Sequence, residues 1–315
     1  MLFIVLLGCE LIYFKIADRY NIIDKPNERS LHTQLTIRGG GIIFWIASLF
    51  YFVSSDFEYP WFFLGVTAVA TISFADDIFT LSNRVRLPIQ VISMGLMLFQ
   101  LDVFSVFNPF LVLLIWIVGV GIINAYNFMD GINGITGGYS SIVLLALLFV
   151  NNNHIKFINS NFIITLLLGL LVFNLFNFRR KARCFAGDVG SISIAFVVLF
   201  LIIKVSIVDQ NPIYLLFLTI YGVDSIATII QRLWLKQNIF KAHRLHLFQI
   251  IVHDFKVDHI SMALCYMLCQ AGICLIIIAN LGQSVSRQLS TAFGVVLGSL
   301  LIYITLKTYL IKIKK

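Results

Sequence analysis

Apolar stretches recur along the whole of this chain, and they constrain its fold more than any other feature. Eleven can be marked, with cores at residues 2–16, 41–53, 61–74, 87–101, 110–123, 135–150, 162–176, 191–207, 213–233, 260–278 and 289–311. About 20 apolar residues cross a bilayer as a helix, and in hydrocarbon every backbone polar group must be bonded internally. Of the 315 residues, 59% are hydrophobic and 12% charged. Soluble domains carry about 25% charged residues, so this chain could not cover itself with polar surface. The composition therefore specifies an all-α polytopic membrane protein. About eleven transmembrane helices are expected, in one integral membrane domain over residues 1–315. The stretch at 2–16 has no basic residue before it and no small-residue cleavage site after it, so it reads as the first span. Cys9, Cys184, Cys265, Cys269 and Cys274 show no CxxC pair and no zinc spacing.

The third and fifth stretches are short enough to be re-entrant, but counting them as spans makes the loop charges alternate without exception. Every Lys and Arg except Lys156, Lys204 and Arg287 then falls on one side. By the positive-inside bias that side is cytoplasmic, with the N-terminus outside and the C-terminus inside. The net charge of +8 belongs to this face. It suits anionic lipid headgroups and anionic substrates, with no sign of a nucleic-acid partner.

Five polar clusters fall on the same face, which puts an active site on cytoplasmic loops. Asp76 and Asp77 stand where the third stretch leaves the membrane, with Arg86 nine residues on. Adjacent carboxylates at a membrane edge need a cation, either a hard metal ion or arginine. Asn124, Asn127, Asp130 and Asn133 recur every three residues, a spacing that stacks them on one helix face. Gly187-Asp188-Val189-Gly190-Ser191 opens the eighth stretch just after four cations. Backbone N–H groups there favour an anion, and Asp188 is either an N-cap or a metal ligand. His243-Arg244-Leu245-His246 could bind phosphate or sugar, and Asp224 is a buried candidate partner for Arg232 or a cation of that loop. The first loop carries His32 and then Arg38-Gly39-Gly40-Gly41, a tight entry to the second span.

In this order, the clusters resemble the polyprenyl-phosphate N-acetylhexosamine-1-phosphate transferase family. It includes the O-antigen and teichoic-acid initiating transferases and the muramoyl-pentapeptide translocases. The resemblance runs from Asp24 to Gln249: the aspartate pair, the N-x-x-N-x-x-D-G-x-x-G block from Asn124 to Gly134, the G-D-x-G-S block from Gly187 to Ser191, and the histidine loop. Two prolines usual in the family's first loop are replaced by Leu35 and Ile37. Asn133 stands where some members have aspartate, so a carboxylate role there does not carry over. H-R-x-H in place of a triple histidine argues against the translocase substrate and for a sugar nucleotide of the O-antigen type.

The resemblance implies transfer of an amino-sugar-1-phosphate from a UDP-sugar to polyprenyl (undecaprenyl) phosphate, with release of UMP. It would be the first membrane step of cell-surface polysaccharide synthesis, in a bacterial inner membrane. Asn127 and Asp188 would hold Mg²⁺, with Mn²⁺ as a substitute. Arg86 would hold the pyrophosphate and Asn133 would read uracil. Asn124, Asp130, His32 and Arg38 would complete the substrate contacts. His243, Arg244 and His246 would meet the sugar and its phosphate. Asp76 and Asp77 would position the lipid phosphate or accept its proton. A phosphate monoester is already mostly dianionic at neutral pH, which favours positioning. Two other classes compete: a membrane prenyltransferase, which expects paired D-x-x-x-D motifs, and a transporter, which expects ionisable residues near the midplane.

Overall fold

The computed structural model describes residues 1–24, 35–238 and 244–314. Among the described residues the chain forms helices α1 (Leu2–Arg19), α2 (Ile42–Ser54), α3 (Pro60–Phe79), α4 (Asn83–Gln100), the single turn α5 (Val103–Val106), α6 (Pro109–Met129), α7 (Ile135–Asn153), α8 (Ser160–Asn177), α9 (Gly187–Val208), α10 (Thr219–Trp234), α11 (Leu247–Asp254), α12 (His259–Asn280) and α13 (Val285–Lys314). A 3-10 segment, Pro212–Leu218, leads into α10. Eight are long and apolar enough to cross a membrane: α3, α6, α7, α8, α9, the 3-10 segment continued by α10, α12 and α13. α1, α2 and α4 coincide with apolar stretches too. However, α1 carries four charged residues, α2 has only 13 residues, and α4 opens with Arg84 and Arg86.

α9 is the centre of the bundle. It is apolar on all sides, as a helix surrounded by others must be, and every residue from Val189 to Ile203 is buried. Phe196 and Phe200 pack against Phe62 of α3 at centroid distances of 5.8 and 4.1 Å. α13 is the opposite case: it is as apolar as a span requires, yet only Tyr303 and Lys307 are buried in the protein. Its remaining surface suits lipid rather than protein packing.

The ends of the bundle differ. At one end Lys204 lies over the Tyr59 ring at 4.4 Å and His154 meets Asp209 at 3.3 Å. The other end gathers the C-termini of α3, α6, α8 and α10 with the N-termini of α4, α9 and α12. The sequence pattern predicts helices alone, but this end also holds a small ribbon. Ile23–Asp24 pairs antiparallel with Thr36–Ile37, and Ile37 bridges Cys184 in parallel. The backbone of the first loop is thereby bonded by the chain entering α9, as a non-helical segment at a membrane rim requires.

Candidate active site

The site is built where the first loop lies on the start of α9. Gly40 N–H donates to the Phe185 carbonyl at 2.9 Å and Gly41 N–H to the Ala186 carbonyl at 3.1 Å. The approach is close enough that a Cβ on Gly41 would sit 2.3 Å from the Gly190 Cα. Gly187 has φ +69°, and a Cβ there would meet Asp77 Oδ2 at 2.5 Å. These contacts explain the glycines of both segments. They also place Arg38, whose carbonyl accepts from the Tyr13 hydroxyl at 2.5 Å, directly over the carboxylates.

Asp76 and Asp77, at the end of α3, point in different directions. Asp77 Oδ1 accepts from Asp188 N–H at 2.9 Å and pairs with Arg38 Nε at 2.7 Å, while Oδ2 accepts from Val189 N–H at 3.0 Å. Its side chain has no exposed surface. The anion favoured at the start of α9 is thus supplied by the protein itself. Asp76 accepts from the Leu81 N–H and from Arg86 Nη1, the latter at 2.6 Å. The same Nη1 lies 2.5 Å from Asp188 Oδ2, so Arg86 joins Asp76 to Asp188. Arg38 Nη2 approaches Asp188 Oδ1 at 3.7 Å. Burial opposes the Arg38 charge, but Asp77, Asp188 and Asp24 outweigh it and hold its pKa above the ordinary value.

Beside Asp188 opens a cavity of about 390 Å³, within the range of small-ligand sites. Its lining includes Arg38, Asn127, Asp130, Asn133 and Asp188 from the expected set. Asn127 Nδ2 faces Asp188 Oδ2 at 3.2 Å and its Oδ1 accepts from Ser191 Oγ at 2.9 Å. Asp130 accepts from Thr136 Oγ1 at 2.7 Å; burial nevertheless pushes its carboxyl up to about 6.

Other expected residues are placed differently. Asn124 does not line the cavity; its amide donates to Gln90 Oε1 at 2.8 Å, tying α6 to α4. Asn133 lines it, but its amide N–H₂ donates to the carbonyls of Arg179 and Arg180 at 2.9 and 3.2 Å, so base reading would fall to its Oδ1. Arg244 meets His253 Nε2 at 2.7 Å, away from the lining. His246 is 2% exposed and its Nδ1 lies 3.1 Å from Asp224 Oδ1. Asp224 also accepts from Tyr266 and Tyr303 at 2.6 and 3.0 Å. The partner of Asp224 is therefore His246, while Arg232 donates to the Asn238 carbonyl. His32 and His243 lie outside the described residues. Gln249 and His259 do line the cavity. His259 carries no sequence signal beyond following the N-cap Asp258 at the start of α12.

A metal ion here would meet Asp188, with Asn127 once its amide turns its oxygen from Ser191. Among the described residues no three His, Cys, Asp or Glu side chains group closely enough to hold a metal by themselves. That donor set fits Mg²⁺, which takes one or two carboxylates and completes its octahedron with water and substrate phosphates.

Residues 59–206 match glycosyl transferase family 4. The matched segment contains the aspartate pair, Arg86, the Asn/Asp block and the start of α9. The chain is 27% identical over 260 residues to the undecaprenyl-phosphate alpha-N-acetylglucosaminyl 1-phosphate transferase of Escherichia coli K12, covering 76% of this chain and 71% of that protein. It is 25% identical over 264 residues to the enzyme of the same name from Yersinia pestis, with 76% and 71% covered. A probable undecaprenyl-phosphate N-acetylglucosaminyl 1-phosphate transferase of Bacillus subtilis is 27% identical over 262 residues, with 74% and 70% covered.

Proposed function

We propose that this chain, whose residues 59–206 match glycosyl transferase family 4, is a member of that family and transfers an amino-sugar-1-phosphate from a UDP-sugar to undecaprenyl phosphate with release of UMP. The likeness to phosphosugar transferases supports this reading over the transporter and prenyltransferase ones. One observation carries the finer statement. Residues from the first loop, α3, α4, α6 and α9, far apart in sequence, meet around Asp188 beside a single cavity. Two anionic reactants must be brought together there, and fixed guanidinium groups offset their repulsion without reorganising during the reaction.

In this reading Arg38 and Arg86 hold the pyrophosphate. Asn133, Gln249 and His259, which also line the cavity, face the nucleoside and sugar. Asp76 keeps Arg86 in place. Mg²⁺, with Mn²⁺ as its substitute, would be held by Asp188 and Asn127 and would supply charge neutralisation on the phosphates. The eleven apolar stretches then all span the inner membrane. The N-terminus lies outside, and the arginine-rich end with the site lies in the cytoplasm, where sugar nucleotides are found. The reaction starts a cell-surface polysaccharide.

The test is UMP release by the purified protein from a panel of UDP-amino sugars, with and without undecaprenyl phosphate. Release that needs the lipid supports the reading. A protein that is folded, supplied with Mg²⁺ and silent with every donor would refute it.

A further inference from the structure

We propose that Asp77 is a positioning residue: it caps the start of α9, fixes Asp188 and Arg38 relative to one another, and takes no proton from the acceptor phosphate. The inference rests on the phosphosugar-transfer reading above and assigns the aspartate pair two separate tasks within it.

Both oxygens of Asp77 are occupied by donors of the protein. Oδ1 holds Asp188 N–H at 2.9 Å and Arg38 Nε at 2.7 Å, and Oδ2 holds Val189 N–H at 3.0 Å. A carboxylate that accepts two adjacent backbone N–H groups at a helix start is bound as a cap, and its charge is favoured by the helix dipole. The side chain is fully covered, whereas those of Asp188 and Arg38 retain 15% and 32% exposure. Gly187 and Gly39 close the space on the α9 side: a Cβ on Gly187 would lie 2.5 Å from Asp77 Oδ2 and 2.9 Å from the Gly39 Cα. A lipid phosphate cannot reach Asp77 without first displacing the helix start or Arg38. Asp188, the next carboxylate in space, projects to the cavity because its own backbone N–H is held from behind.

Two conservative variants separate positioning from proton acceptance. Asp77→Asn keeps the length and one oxygen, which can accept from one side of the α9 start but not both, and it cannot take up a proton at neutral pH. Asp77→Glu keeps a carboxylate but lengthens the arm by one methylene against the Gly187–Gly39 wall, pushing the α9 start outward. A shift of about 1 Å can cost on the order of 100-fold in rate. Positioning therefore ranks Asn above Glu by about tenfold or more in kcat. A proton acceptor ranks Glu equal to or above Asn, and that order would overturn the proposal.

A second readout needs no turnover. Mn²⁺ titrated into the substrate-free protein and followed by electron paramagnetic resonance reports Asp188 directly. The expected loss of affinity is greater for Asp77→Glu than for Asp77→Asn. Equal affinities in wild type and both variants would show that Asp77 does not set the place of Asp188. Failure of the wild-type protein to release UMP would sink the function reading alone, because the Mn²⁺ ranking would still decide the role of Asp77.

Discussion

Removing Arg86 should have opposite effects on cation affinity and on turnover. Its Nη1 lies 2.6 Å from Asp76 Oδ2 and 2.5 Å from Asp188 Oδ2, so these two oxygens are no more than about 5 Å apart. In Arg86→Ala nothing charged remains between them. At an effective dielectric of about 20, two unit charges at about 5 Å repel by roughly 3 kcal/mol. Arg38 and water entering the gap relieve part of this, leaving about half. A divalent cation would relieve the remainder, so the substrate-free variant should bind Mn²⁺ about tenfold more tightly than wild type. Turnover should fall nonetheless, by about 100-fold or more, because a group that stabilises charge on the transferring phosphoryl is gone. Calorimetric Mn²⁺ titration measures the first effect and UMP release the second. Arg86→Lys should fall between, since an ammonium supplies the charge but not the fork that reaches Asp76, Asp188 and Asn83 together. Equal or weaker Mn²⁺ binding by Arg86→Ala would refute the reasoning, for it would mean that Arg86 does not screen Asp188.

Three further outcomes follow from particular contacts. Asp130, raised to about 6, binds a proton more readily folded than unfolded, so its contribution to stability is full below about pH 4 and is lost as pH rises through about 6. Asp130→Asn should therefore gain melting temperature over wild type progressively between pH 4 and 6, with no further gain above, in a detergent thermal-shift series; a constant offset would refute this. Gly187→Ala must place a methyl at φ +69° against Asp77, and should lose about 100-fold in activity, whereas Gly222→Ala, with open space around it, should be silent. Asp224→Ala leaves the buried His246, Tyr266 and Tyr303 without their shared acceptor and should cost about 3–5 kcal/mol, read as a large fall in melting temperature.

What could be read from the sequence divides along physical lines. The helices were legible because hydropathy is local: each of the eleven apolar stretches falls on helix. The loop charges put the loops that carry Asp76, Asn127 and Asp188 on one side, and these residues do meet at one end of the bundle. Pairings within that end were not legible. Nothing in the spacing of Asp76 and Asp77 says that one faces Arg86 and the other a helix start more than a hundred residues away. Likewise, His246 looks like a surface ligand in an H-R-x-H loop, and only the packing of α10, α12 and α13 shows it seated on Asp224. Gln249 and His259 were unremarkable because lining a cavity leaves no periodic trace.

Those pairings change how the site must be understood. As a string of motifs it offers Asp76, Asp77 and Asp188, besides Asp130, and several cations, any of which could meet a substrate. In space Asp77 is consumed by the fold and Asp76 is held by Arg86. Of these three, only Asp188 faces the cavity, which Asp130 also lines, with Arg38 and Arg86 at the sides of Asp188. With all five groups ionised, the cluster carries one net negative charge. A bare pyrophosphate would meet guanidinium groups whose charge is already largely matched, and so would gain little from them. A divalent cation at Asp188 reverses the sign of the cluster to one net positive charge and loosens the hold of Asp188 on both arginines, freeing their donors for phosphate oxygens. Donor affinity should therefore depend steeply on divalent cation, and less so in Arg86→Ala, which has no Arg86 donors for the ion to free. Equilibrium binding of a UDP-sugar to the two proteins across a Mg²⁺ series measures this. Parallel curves would show that the arginines act independently of the Asp188 charge.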